Sequence, residues 1–590
     1  MNESLKPIGH WKKIFLAAAA VVFVALGLAF HVDNSLPGAA RVFVEFLVFT
    51  GLLFAWLLGA AIIVKGFRWL ISRQAWVIYL KLGVGILSLI VLFYSVEKWR
   101  GKRALTKLQQ EVEGRGEKLD LSDVIPRNVP DDQNFARTPL FASLYNEATN
   151  SAGLNGLRAS DVSKLPRLGT LLHRRKGESD DWMHQEFIDL KRWQKFFRQA
   201  ADSPIQQQPH EPAVDVLLAL TKFTNALNEV RSASQRPYAR FPIRYEKGFF
   251  ASLVHLGVLK NIGDVLTLRA SAALASNRNE AALADVQTSL RLVNFVRQQP
   301  WELSFLWCNT MLIDDLQPVW EGLVSRRWTE SQLAALQNQL EQMNFLADYV
   351  PALRANTLLM MDFINQIIPV SSARPSSAFI PEDDAGRQLI RLARLVYPSG
   401  WSAQNQVGLY RFYLAWVPYL DPARHRVSPQ DRLGVNIDFV SLDPFFPFFI
   451  APKVKTIFRD ASESFPAVQT AVDEARVACA LERYRLANGH FPEILNALVP
   501  QYLKELPHDI MDGQPLRYRR TEDGQFVLYS VGSDGVDNGG QLVARRRNWR
   551  GEPEPMWRSG PGDWVWRYPA TASVSKADSI KTLDGQTDFQ

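Results

Sequence analysis

The sequence predicts a mainly α protein with three transmembrane helices, an α-helical domain, and a C-terminal α+β head. Three observations predict this class. Apolar runs of roughly 17 to 23 residues crowd the first hundred positions. Helical periodicity with almost no strand signal fills the middle of the chain, and an amphipathic helix followed by a strand-turn-strand pattern lies near its end. At 590 residues the chain exceeds what one core organises, so several structural units are expected.

Residues 1–96 read as the anchor. Ile14 to Phe30, Val42 to Val64 and Val77 to Val96 are each long enough to cross a hydrocarbon core. Lys6, Lys12 and Lys13 precede the first run, and Lys65, Arg68 and Arg73 lie between the second and third. Only Arg41 lies between the first and second. The positive-inside bias puts the N-terminus and the second loop in the cytoplasm and the large C-terminal part outside. Lys98, Arg100, Lys102, Arg103 and Lys107 pull the other way, but long domains translocate largely regardless of such charge. Pro37-Gly38-Ala39-Ala40 leaves open a signal peptide cleaved after the first run. Glu45 sits near a span end, where it reaches water, so the spans do not read as a proton path.

Residues 97–179 read as a charged helix to about Gly116 and then a Pro- and Asp-rich connection, from Val124-Ile125-Pro126 to Asp131-Asp132. Residues 180–368 form the helical domain, with helices at Trp182 to Ala201, Ala213 to Val230, Phe249 to Ala275, Glu280 to Arg297, Trp301 to Val324, Glu330 to Met343 and Tyr349 to Ile367. A polar connection, Gln206 to Pro209, interrupts them. Val265 to Val296 has the small residues and the Asn277-Arg278-Asn279 turn of a tetratricopeptide-type helix pair. No second copy follows at a fixed period, and an ordinary helical hairpin explains it as well. Residues 369–459 combine a Ser/Pro/acidic linker, Ser371 to Asp384, with short helices at Leu389 to Val396 and Gln404 to Val417. An aromatic connector follows, Pro444 to Pro452, which reads either as buried under the head or as an exposed docking patch.

Residues 460–570 form the head. Phe465 to Ala487 repeats apolar and small residues at three- and four-residue spacing, and Asn488-Gly489 stops that helix. Leu516 to Arg520 and Phe526 to Val531 flank Glu522-Asp523-Gly524 as a β-hairpin with one apolar face. A further strand-like run, Trp564 to Tyr568, precedes a polar tail, 571–590, that reads as disordered.

Tyr484, Arg485, Gly489, Phe491 and Pro492, then Leu506, Pro507, Asp509, Asp512, Gly513, Pro515 and Tyr518, then Tyr529, Ser530, Gly532, Asp534, Gly535, Gly539 and Gly540 stand in this order along the head. In this the region resembles the globular head of the major pseudopilin of type II secretion systems. The resemblance implies an envelope setting: a multi-pass bacterial inner-membrane protein with a large periplasmic region, whose partners are the membrane and other envelope proteins. It also implies calcium, held by the glycine-rich loop and a later acid, here Asp534, Asp537, Asn538 and Asp563. A hard cation wants about six to eight oxygens, which loop carbonyls and water would complete. Asp-Gly pairs also make plain turns, and the inserted Gln541 to Gly562 carries Arg545, Arg546, Arg547 and Arg550, which would replace an ion with salt bridges if they fold over the acids. No prepilin cleavage motif precedes any span, so polymerisation into a pseudopilus is not expected.

No motif names a reaction. The nine histidines make no HExxH or HxxxH pair, and no GxSxG, phosphate loop or dinucleotide fingerprint stands in its required context. Cys308 and Cys479 both sit in apolar helical patterns and exclude a disulfide framework. The net charge of +7 is mild for this length and does not call for nucleic acid. Arginines interleaved with Trp549, Trp557 and Trp564 read first as a solvated insertion between head strands, although the same pattern would suit anionic lipid or a single nucleic-acid strand. The expected role is therefore a non-catalytic scaffold or interaction protein, with a periplasmic peptide- or protein-binding helical domain as the alternative and an undetected hydrolase as the third.

Reporter fusions check the topology directly. Fusions after Gly116 and after Gln590 should read as periplasmic and one at Ser72 as cytoplasmic. A cytoplasmic signal at Gln590 would show that the basic cluster after the third span decides the orientation.

Overall fold

The computed structural model describes residues 73–142, 181–199, 210–245, 251–367, 397–428, 451–541 and 562–569, with scattered positions between 43 and 65. Its protein is mainly helical and divides into two compact units, Met1–Glu97 and Lys98–Gln590. The first apolar run, the connections at 206–209 and 371–384, the helix at 389–396, the arginine-rich insertion and the tail lie outside the described residues. So does the aromatic connector, apart from Ala451-Pro452 at the start of the head helix.

In the first unit, the described positions of Val42 to Val64 are helical. Among the described residues, one helix is long and apolar enough to cross a membrane. This is α1, Arg73–Gly114, whose 42 residues extend about 63 Å at 1.5 Å per residue. The sequence divides it at Val96, where charge replaces apolarity. The backbone continues instead, because Glu97 to Gln110 is built mostly from good helix formers and contains no proline.

In the second unit, Leu108 and Val112 of α1 enter the core. A Cβ at Gly101 would run into the backbone of Gly400, so this glycine permits close approach to the start of α10. The helix predicted from Trp182 to Ala201 is instead a 3-10 turn, Trp182–His184, followed by α2, Leu190–Arg198. Gln185 takes a left-handed conformation, and Asp189 caps α2 by accepting the Arg192 N–H at 3.0 Å. These local polar signals override the apolar period.

α3 (Pro212–Leu220) and α4 (Thr224–Ala233) follow, then α5 (Val254–Ala275), α6 (Asn279–Arg297), α7 (Glu302–Val324), α8 (Glu330–Glu341), α9 (Phe345–Ile367) and α10 (Ser399–Trp416). α5 and α6 are the hairpin expected at Val265 to Val296, turned by Asn277 at φ 57°. They pack on each other and on α7. Asp285 of α6 accepts from Arg269 of α5 and Arg231 of α4, tying three helices at one carboxylate.

The head helix, α11 (Ala451–Asn488), starts earlier than its apolar period suggests and ends at Gly489, φ +84°. β1 (Leu420–Asp421) and β2 (Arg426–Val427) form a minimal antiparallel pair that the sequence did not announce. β3 (Arg517–Arg520), β4 (Phe526–Ser530) and β5 (Trp564–Arg567) form an antiparallel sheet in that order, with Val527 opposite Arg567 and Ser530 opposite Trp564. α11 packs on α7, α8 and α9 as well as on β4 and β5, and one continuous core joins head and helical domain. Trp566 of β5 lies against Trp182, ring centroids 4.7 Å apart, and Trp320 of α7 donates to the Arg567 carbonyl at 3.0 Å.

Asp315 supplies a pH test of the helical core. Its Oδ1 accepts from Thr267 at 3.0 Å and Ser289 at 2.7 Å, joining α7 to α5 and α6. Burial pushes its carboxyl up to about 7, more than those hydroxyls pull it down. Between about pH 4 and 7 the folded state therefore holds a proton that the unfolded chain has released, so stability falls as pH rises through that window and levels off above it. Asp315→Asn should flatten this part of a plot of Tm against pH. An unchanged slope would assign the titration to another group.

Candidate functional site

The best-defined polar site lies in the head, where residues 530–540 leave β4 and fold back over the sheet. The sequence expects one apolar face here, yet β4 is buried on both. The loop supplies the second cover: Val527, Tyr529 and Val565 form a small cluster of their own, and a Cβ at Gly540 would clash with Val527 and Tyr529. Gly532 has φ +65°, and a side chain there would run into the carbonyl oxygen of Gly562. The loop thereby meets the residues that begin β5.

Asp563 fastens this meeting point. It is buried, and its carboxylate accepts the Asn538 N–H at 3.1 Å and the Gly540 N–H at 2.7 Å. Burial raises its carboxyl above the usual range against those two N–H donors, and the charges of Asp537 and Asp534 add to the rise. Asp537 accepts from Tyr529 Oη at 3.1 Å and from the Gly539 N–H at 2.9 Å. Asp534 accepts the Val536 N–H at 3.1 Å, and the Asn538 amide donates to the Val536 carbonyl at 3.0 Å.

The four residues expected to hold calcium thus share one loop, and their side chains are engaged with N–H, O–H and carbonyl groups of the protein. Among the described residues, no three His, Cys, Asp or Glu side chains gather as a metal site. The loop as folded is a hydrogen-bonded clasp.

Beneath it lies a second acidic group to which sequence reasoning assigned no role. Asp509 is fully buried. Its Oδ1 accepts from Ser530 Oγ at 2.8 Å and the Met511 N–H at 3.0 Å, and its Oδ2 from the Val531 N–H and Arg517 Nη1, both at 3.0 Å. It joins the segment before β3 to the end of β4. Beside it on α11, burial first and then the charges of Asp509 and Asp473 push Glu474 well above the usual carboxylate range. The available signal was Asp473-Glu474, two adjacent acids inside an otherwise apolar helical pattern. Chemically Asp509 and Asp563 suit holding the sheet together, whereas Glu474 Oε1 is buried with no hydrogen-bond partner among the described residues.

Asp563→Ala would strand the Asn538 and Gly540 N–H groups, costing about 1 to 3 kcal/mol for each one left buried and unpaired. The Tm of the full-length protein should drop by the same amount in calcium and in chelator. A calcium-dependent rise in the wild type that disappears in Asp534→Ala would instead show an ion in the loop.

No protein-family model, curated protein or solved structure matches this chain.

Proposed function

We propose that the chain is a non-catalytic scaffold or interaction protein of the bacterial envelope, anchored in the inner membrane by its N-terminal spans, with the helical domain and the pseudopilin-like head on the periplasmic side. The apolar part of α1 carries this reading. Leu80, Leu82, Leu87, Leu89 and Leu92 are each more than half exposed. At about 25 cal/mol per Å² such a surface is costly in water, and a hydrocarbon core removes the cost. Ser88 and Ser95 donate to the Val84 and Val91 carbonyls, each at 2.7 Å, so these two hydroxyls are satisfied within the helix, as a lipid setting favours.

The head supports the non-catalytic part of the reading. Asp509 and Asp563 each accept several hydrogen bonds from the backbone or from Ser530 and Arg517, which leaves them committed to structure. About 350 residues separate the end of the last apolar run, Val96, from the head helix at Ala451, whereas a pilus subunit carries both on one helix.

Fractionation tests both parts. After alkaline carbonate extraction the full-length chain should stay with the inner membrane, and sheared surface filaments should contain none of it. Release into the soluble fraction, or recovery from filaments as an N-terminally shortened form, would overturn the proposal.

A further inference from the structure

We infer that the cavity walled by residues 125–137 and 239–245 binds a small carboxylate with an apolar body. This goes beyond the anchored-scaffold reading and does not rest on it. The cavity measures about 400 Å³, within the range of small-molecule sites.

Its frame is firmly built. Asn134 is buried, its Oδ1 accepts the Arg240 N–H at 2.8 Å and its Nδ2 donates to the Arg240 carbonyl at 3.0 Å, so one side chain holds both polar groups of that residue's backbone. Phe135 N–H donates to the Tyr238 carbonyl at 2.7 Å, and Tyr238 N–H to the Gln133 carbonyl at 3.2 Å. The two walls are thereby joined before any ligand arrives.

Two groups point to the ligand. Gln299 stands between this cavity and the adjoining one and lines both, with 5% of its surface exposed, and its Nε2 has no hydrogen-bond partner among the described residues. Its Oε1 lies 2.8 Å from His255 Nε2 and accepts from Ser304 Oγ at 3.1 Å, which leaves the amide NH₂ as the end without a partner. Burial holds His255 down near 4, hence neutral, and its ring stacks on Phe241 at 4.2 Å. A buried amide donor without an acceptor is unfavourable, and a ligand oxygen would satisfy it.

The second group is Arg240, which lines the same cavity and forms no ion pair with a described carboxylate; its Nε also lacks a partner. The other arginine here, Arg137, is already paired with Asp131 at 3.1 Å. The adjoining cavity of about 330 Å³ provides a contrast: its Arg297 is bound to Asp348 and its Arg354 to Asp123. The Arg240 guanidinium is stacked over Tyr238 at 5.9 Å and has no carboxylate partner among the described residues. This one guanidinium and one neutral amide donor match a monoanion better than a phosphate dianion, which Asp131 at the rim would repel more strongly. Ile125, Pro126, Val129 and Ile243 offer the apolar contact for the body of the ligand.

A peptide C-terminus and a short fatty acid share this chemistry, and the test separates them. The full-length protein in detergent is titrated at millimolar concentrations with N-acetyl-leucine, hexanoate, neutral N-acetyl-leucinamide and inorganic phosphate, reading heat and Tm. At least one of the two carboxylates should bind and raise Tm, and the amide and phosphate should not. Binding of N-acetyl-leucine alone assigns the peptide class, and of hexanoate alone the fatty-acid class. Arg240→Gln should weaken the carboxylate about ten- to hundredfold, and Arg240→Lys should recover part of the loss. Should Arg240→Gln fail to fold, Arg240→Lys alone must still weaken binding measurably, because it loses the forked donor geometry. No binding by either carboxylate, equal binding of acid and amide, or full affinity in both Arg240 variants would overturn the inference.

Discussion

The second unit depends on the burial of α11 from every side. From Ser464 to Glu482 its residues are almost wholly withdrawn from water, between α7, α8 and α9 on one flank and the β-sheet on the other. A helix in this position has no solvent face on which to leave polar groups, so several of them are matched by groups on neighbouring elements. Ser464 accepts from Asn309 of α7 at 2.8 Å. Gln469 accepts the Phe345 N–H at 2.7 Å, satisfying a donor at the start of α9 that the helix itself cannot use. Asp473 lies 3.0 Å from His425 Nε2 in the turn between β1 and β2 and also accepts from Gln469 and Arg476. These contacts set how α11 is rotated and where it sits along its axis, a precision that apolar packing alone leaves loose.

The sheet inherits its position from that helix. Phe526 and Leu528 of β4 and Trp564 and Trp566 of β5 join the core that contains α11, while Val527, Tyr529 and Val565 face away from it. An exposed outer face would have left an apolar patch, and residues 530–540 remove it by folding across. The glycines of that loop let its backbone come close enough, and Asp563 holds it down. The acids there and at Asp509 are therefore part of the construction of the sheet. Removing one partner would leave backbone donors buried without an acceptor, which costs more than the original hydrogen bond contributes.

Polar groups in the helical domain fall into two kinds. Asp285, Arg297 and Arg354 meet charged partners on other elements, and their surroundings are closed electrostatically. Gln299 and Arg240 are held firmly from behind, one by His255 and Ser304 and the other through its backbone by Asn134, while the donor end of each is left over at a common cavity. Gln299 Nε2 and Arg240 Nε are two of several buried donors without a partner among the described residues, and these two line one cavity.

Much of this was legible from sequence because it is local. Periodicity located α6, α7 and α8 closely, since an apolar stripe at helical spacing survives any arrangement of its neighbours. It read α3 and α4 as one helix, Ala213 to Val230, and placed the starts of α5 and α9 at Phe249 and Tyr349, where the helices begin at Val254 and Phe345. The hairpin of β3 and β4 followed from alternation around Asp523-Gly524. Local chemistry also misled where it was weak: Trp182 to Ala201 keeps a helical period, yet Gln185 and Asp189 divide it, and the change of composition at Val96 interrupts nothing in α1. The sequence could also gather Asp534, Asp537, Asn538 and Asp563 into one site, because a glycine-rich loop beside a strand start restricts where the chain can go. What their oxygens face was decided by tertiary structure, through the 22 residues between Gly540 and Asp563 and the N–H groups that loop closure turns inward. The same holds for Asp509 under the sheet, for Glu474 beside it, and for Arg240 and Gln299 at one cavity. Their burial and partners depend on segments far apart in the chain, and no spacing rule relates positions brought together only by packing.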